Sequence, residues 1–201
     1  MRISSDVERP WALVVVLCAA ASARAHPEGF HQRAVFTLTK TAMTALVVMD
    51  VDAGERCELL RAGADLNHDG VLAEAEKHAL ERKLTLLALK PLKVGLSSYA
   101  VPLKVTEAKL NLRGDQTVSR AGVSVALLLE ANHPYELSPG MHFEFVTVTP
   151  DASPVRLEVF QATEPSDAPE PDFRQDIDSG KQVRVRLGRL ARHDAGVPGP
   201  R

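Results

Sequence analysis

Residues 65–76 read Asp-Leu-Asn-His-Asp-Gly-Val-Leu-Ala-Glu-Ala-Glu, and this run constrains the chain more than any other. Oxygen-bearing groups recur at alternate positions: Asp65, Asn67 and Asp69 through their side chains, then Val71 through its carbonyl, with Glu76 closing the series. A hard cation such as calcium needs about six to eight oxygens, and this spacing supplies them in order around one turn. Gly70 falls where the chain must turn sharply, at a place that favours a residue tolerant of φ > 0. Ala73 has no side-chain oxygen, so its place in the series falls to water.

Such a loop works only between two helices, and both flanks read as helical. Upstream, Cys57, Leu60 and Ala64 recur at spacings of three and four, which predicts an entering helix over 53–64. Downstream, Leu72, Ala75, Ala79, Leu80, Leu84 and Leu87 continue the pattern until Pro91 stops it. Position for position, the segment resembles an EF-hand, which implies calcium as the bound ion and Asp65, Asn67, Asp69, Val71 and Glu76 as its ligands. EF-hands usually work in pairs. The segments at Asp50 and Asp176 begin suggestively but lack the remaining ligand spacing, so a fixed structural or low-affinity site is expected rather than a sensor that opens.

The N-terminus points to export. Arg2 and Arg9 precede an apolar stretch from Trp11 to Ala21, and Ala23-Arg24-Ala25 has the small-x-small form of a signal-peptidase site. Residues 1–25 are therefore expected to be a signal peptide, and the chain to be secreted or periplasmic. The apolar stretch is short of the ~20 residues that span a bilayer, and no later segment is apolar enough to do so. Removing it leaves 176 residues, Cys57 as the sole thiol, and a net charge of about −3, because the removed part holds three basic and two acidic residues. That balance gives no nucleic-acid footprint. Cys57 lies on the apolar stripe and is expected to be buried.

Around the helical pair the sequence reads as strands. Residues 35–51 predict one or two, followed after Pro91 by 92–96, 100–106, 109–113, 123–130, 142–149, 155–161 and 182–187, separated by turn signals such as Ser138-Pro139-Gly140. The expected fold class is α+β and mostly β: an antiparallel sandwich-like domain over 26–190, with a helix–calcium loop–helix insertion at 53–90. Residues 164–172, rich in Pro, Asp and Glu, read as a linker or long loop, and 191–201 as a disordered tail. Val183, Val185 and Leu187 alternate with Arg184 and Arg186, the pattern of a protected edge strand.

The start His26-Pro27-Glu28-Gly29-Phe30, the strand ending near Asp50, the D-x-N-x-D-G loop and the run of strands together resemble the periplasmic N-terminal domain of nickel/cobalt-permease-like and hydrogenase/urease-accessory membrane proteins. The resemblance spans residues 26–161 and departs from that pattern in having no membrane segment after the strands. It implies an alternative role, a stand-alone metal-handling module that binds nickel or copper through His26 and other histidines, with His31, His133 and His142 as candidates. Pro27 removes one backbone nitrogen from such chelation. No nucleophile elbow, zinc-protease helix, C-x-x-C or phosphate loop is present, so no catalytic residues are expected. The primary expectation is an exported calcium-binding protein with a structural or interaction role toward an unidentified protein partner.

Overall fold

A computed structural model describes residues 29–97, 99–133, 135–149, 153–162 and 171–188. The expected signal peptide, His26, residues 164–170 of the expected linker and the expected tail lie outside them. The protein is mostly β, in two sheets. Strand β1 (Phe30–Leu38) turns through Thr39 into β2 (Ala42–Val51), and helices α1 (Glu55–Ala62) and α2 (Glu74–Leu89) follow. Next come β3 (Leu92–Leu96), β4 (Tyr99–Ala100), β5 (Lys104–Asn111), β6 (Val123–Asn132), β7 (His142–Thr147), β8 (Val155–Gln161), β9 (Phe173–Ile177) and β10 (Gln182–Arg186). One sheet has six strands in the order β5-β6-β2-β1-β8-β9, the other four in the order β10-β7-β3-β4.

Period-two alternation explains how the larger sheet packs. Ala34, Phe36 and Leu38 of β1, Met43 to Val51 at every second position of β2, Val125, Leu127 and Leu129 of β6, and Val155, Leu157 and Val159 of β8 all point to one buried face. Two layers share that face. Over β1, Phe36 meets Phe143 and Phe145 of β7 at ring distances of 5.0 and 5.9 Å, which joins sheet to sheet. Over β2, β5 and β6 lies α2, which buries Leu80, Leu84 and Ala88 and is tied to β1 by Gln32 Nε2 donating to the Ala88 carbonyl at 2.7 Å.

The pattern reading and the structure differ at four places. First, β8 runs parallel to β1, whereas every strand was expected to pair antiparallel. The chain returns from β7 in the smaller sheet to the open edge of β1, and alternation within a strand does not specify which open edge a returning strand takes. Second, the expected strand at 100–106 begins in β4 with Ala100, and its end at 104–106 joins most of the expected strand at 109–113 in one strand, β5, with an irregularity between Val105 and Glu107 that interrupts its alternation. Third, β9 is an edge strand whose middle is exposed, so its apolar signal is confined to Phe173 and Ile177. Fourth, the expected stripe of α2 holds at Leu72, Leu80 and Leu84 but not in the first turn, where Ala75 is exposed and Glu76 takes the buried place. Among the described residues no helix is long and apolar enough to cross a membrane.

Candidate metal centre

Helix α1 ends where Gly63 and Asp65 close their N–H groups onto carbonyls of its last turn, and the chain then enters the loop. His68 (φ 60°) and Gly70 (φ 79°) both take left-handed backbone, which coils residues 65–71 into a tight arc. The expected side chains line this arc. Asp65 Oδ2 accepts the Gly70 N–H at 3.0 Å across it. Asn67 Oδ1 accepts the Asp69 N–H, Asn67 Nδ2 donates to Asp69 Oδ2, and Asp69 Oδ1 accepts the Val71 N–H at 2.8 Å.

Glu76 reaches back from the first turn of α2 and holds the two ends of the loop together. Its Oε1 accepts the N–H groups of Leu66 (2.8 Å) and Asn67 (3.2 Å), and its Oε2 accepts that of Ala73 (2.9 Å). The last bond caps α2, half of a capping box whose other half Ala73 has no side chain to make. The Ala73 N–H, followed by those of Asn67 and Leu66, holds the Glu76 carboxyl below the ordinary glutamate range against the opposing effect of burial.

Two carboxylates are thus buried in the loop, Asp65 at 6% and Glu76 at 4% exposure. Glu76 is fully engaged. Asp65 is not: its Oδ1 is buried with no hydrogen-bond partner. A buried acceptor left unpaired costs about 1–3 kcal/mol, more when charged, and a cation would satisfy it. The donor set agrees in kind, being all oxygen with no sulfur or imidazole, as a hard divalent cation requires. The carboxylates of Asp65, Asp69 and Glu76 are turned onto the loop's own N–H groups, and among the described residues no three His, Cys, Asp or Glu side chains gather as a metal-holding group.

Residues outside the oxygen pattern complete the loop's surroundings. Leu72, immediately after Val71, is buried, and its N–H donates to the Gln116 carbonyl at 2.7 Å. The Val118 N–H returns to the Gly70 carbonyl at 2.9 Å, so Val71 and Thr117 face one another as an antiparallel bridge. The connection from β5 to β6 therefore runs beside the loop. Arg61, wholly buried, donates from both terminal nitrogens to the carbonyls of Asp115 (2.6 Å), Thr117 (3.0 Å), Leu112 (3.2 Å) and Gly122 (3.4 Å). Within the same connection the hydroxyls of Ser119 and Thr117 and the Thr117 N–H push the Asp115 carboxyl down to about 2.

The motif reading missed these residues. A signal for Arg61 was present, since it stands four residues from Cys57 on the buried side of α1. Cys57 itself is a free, buried thiol against the Val51 and Asp52 carbonyls, and burial pushes its pKa up. The described histidines stay apart. His31 pairs with Asp52 at 2.8 Å, His133 is bonded through Nδ1 to the Tyr135 carbonyl, and His142 lies exposed opposite the buried Phe143 and Phe145.

No family model matches the chain, and no curated protein is significantly similar to it, so the site is read from its own geometry.

Proposed function

We propose that the protein is an exported calcium-binding protein whose EF-hand-type loop takes one calcium ion through the side chains of Asp65, Asn67, Asp69 and Glu76 and the carbonyl of Val71. The observation that carries this reading is Asp65 Oδ1, a buried carboxylate oxygen with no donor, in a loop that also carries oxygen-bearing residues Asn67, Asp69 and Glu76 at calcium-ligand spacing. The bridge to Thr117 supports it. Because that bridge uses the Gly70 carbonyl and the Leu72 N–H, it leaves the Val71 carbonyl pointing away from residue 117 and free to serve as a ligand.

Calcium's role in this reading is structural. The ion would neutralise carboxylates confined to one turn and hold α1 to α2, and α2 lies directly on the larger sheet. Export places the loop in the compartment where weak calcium sites of roughly 10⁻⁴–10⁻³ M are useful. Calorimetric titration tests the proposal directly. Wild type should bind one calcium, and Asp65→Asn and Glu76→Gln should each abolish the heat. Binding that survives both substitutions would place the ion elsewhere.

A further inference from the structure

We infer that the β5–β6 connection, residues 112–122, serves as the calcium loop's second half, standing where an EF-hand pair would place a partner loop, and that Arg61 and Val118 are positioning residues for the ion. The inference rests on the calcium reading and adds to it a cause for the site's shape.

A single loop of this kind has a difficulty. Its carbonyl ligand, at Val71, must be aimed at the ion by something outside the loop, and the oxygen side chains do not aim it. Here the aiming follows from the bridge. In an antiparallel pair, residues alternate between those that exchange both backbone bonds and those whose N–H and carbonyl point away from the partner. Val71 and Thr117 are of the second kind, because the two bonds run from Leu72 to Gln116 and from Val118 to Gly70. The Val71 N–H accordingly meets Asp69 Oδ1 inside the loop, and because the Val71–Leu72 peptide is trans and its N–H is on Gln116, the Val71 carbonyl points away from the connection.

Arg61 fixes the other end of the arrangement. It sits one helical turn before Asp65 and grips four carbonyls of the connection, at Leu112, Asp115, Thr117 and Gly122. The four terminal N–H donors of a planar fork suit this, whereas a lysine's single ammonium cannot reach four carbonyls spread along the connection. Asp115, Thr117 and Ser119 then lock the connection internally, and Arg120 Nε bonds Glu58 of α1 at 2.8 Å. The first ligand and the carbonyl ligand are thus both referenced to one external strip of backbone. Binding calcium and ordering that strip must then favour each other equally, by linkage.

The test is calcium calorimetry and amide hydrogen exchange on the full chain. Val118→Pro removes the donor to Gly70, and Arg61→Lys removes most of the grip on the connection. Glu158→Gln, on the far face of β8, controls for loss of stability alone. Each loop variant should weaken calcium binding roughly three- to ten-fold, the loss expected for one backbone hydrogen bond, while Glu158→Gln leaves affinity within about two-fold. In wild type, calcium should slow exchange at the Leu72 and Val118 amides. A folded Val118→Pro protein with wild-type affinity, or calcium that leaves both amides unprotected in wild type, would overturn the inference while the calcium site stood. Should Arg61→Lys or Val118→Pro fail to fold, the wild-type exchange experiment decides alone. Absence of any calcium binding by wild type would sink the calcium reading itself.

Discussion

Asp65 and Glu158 are both carboxylates taken almost entirely out of water, and the protein treats them in opposite ways. Glu158 lies in β8 at 1% exposure, and three guanidinium groups converge on it: Arg33 at 2.7 Å, Arg174 at 3.1 Å and Arg156 at 3.3 Å. All three arginines are about half exposed, so their own hydration is largely kept. Asp65, in the loop, has one oxygen bonded to the Gly70 N–H and one bonded to nothing. The difference separates two uses of a buried charge. A carboxylate whose partners all come from the chain is a component of the fold. One whose partners stop short keeps an unmet acceptor, which is what the proposed calcium ion would fill.

Several substitutions would break or sharpen this contrast. The largest effect belongs to Glu158→Ala, which strips the common partner from three arginines. Removing one side of a fully buried pair costs about 3–5 kcal/mol, and because the arginines keep contact with water the loss here should be nearer roughly 2–3 kcal/mol in urea denaturation. Calcium should leave it unchanged. If the variant is as stable as wild type, the arginine cluster is surface decoration and the comparison fails on that side.

Acid should find the same residue. The Arg33 guanidinium, outweighing burial, holds the Glu158 carboxyl below its ordinary range. Its folded-state pKa therefore lies under the unfolded one. The stabilisation it contributes is complete above the unfolded value of about 4.3 and is lost as pH falls through the depressed folded value. Melting temperatures measured from pH 6 down to 3 should fall less steeply in Glu158→Gln than in wild type. Parallel curves would remove Glu158 from the account of acid stability.

A smaller effect is expected at Glu76, and it tests whether that residue acts as helix cap, ligand or both. Glu76→Gln keeps one acceptor oxygen, enough for the Ala73 N–H or for the Leu66 and Asn67 pair but not for both, and should melt below wild type without calcium, whereas Glu76→Ala loses all three N–H partners and should melt lower still. Equal calcium-free melting of the two variants would mean the cap contributes nothing. Smaller still is the consequence of labelling Cys57. A thiol reagent should react slowly with the folded protein and quickly after denaturation, since burial raises the thiol's pKa and blocks access. Equal rates in the two states would show that α1 does not pack as described.

The contrast also explains what the sequence made legible. The turn between the two helices could be read because its signals are local: polar residues at fixed spacing, Gly70 at the turn, and helical periodicity on either side within a few residues. Strands β2, β3, β6, β7, β8 and β10, and β1 from Val35 onward, were readable for the same reason, each being a short run with its own local pattern. Glu158 offered no such signal, since two of its three arginines come from other strands, Arg33 across the parallel β1–β8 pairing and Arg174 across the antiparallel β8–β9 pairing, and alternation encodes neither pairing. Arg61 was hidden similarly, because its partners are main-chain carbonyls more than fifty residues away and any sequence would supply those. Local chemistry survives in sequence, and chemistry assembled by topology does not. Ala75 shows a further limit. It fitted the expected apolar stripe of α2, yet Glu76 took the buried place beside it because its carboxylate had three backbone donors to meet there.

The central claim, that residues 65–76 hold calcium, is tested most directly by melting the protein with and without calcium in wild type, Asp65→Asn, Glu76→Gln and Glu158→Gln. At ten-fold excess over the dissociation constant, linkage adds about 1.4 kcal/mol, a rise of roughly 3–6 °C for a domain of this size. Wild type and Glu158→Gln should show that rise, the latter from a lower starting temperature, and Asp65→Asn and Glu76→Gln should show none. A calcium-induced rise of equal size in all four proteins, or in none of them, would contradict the account.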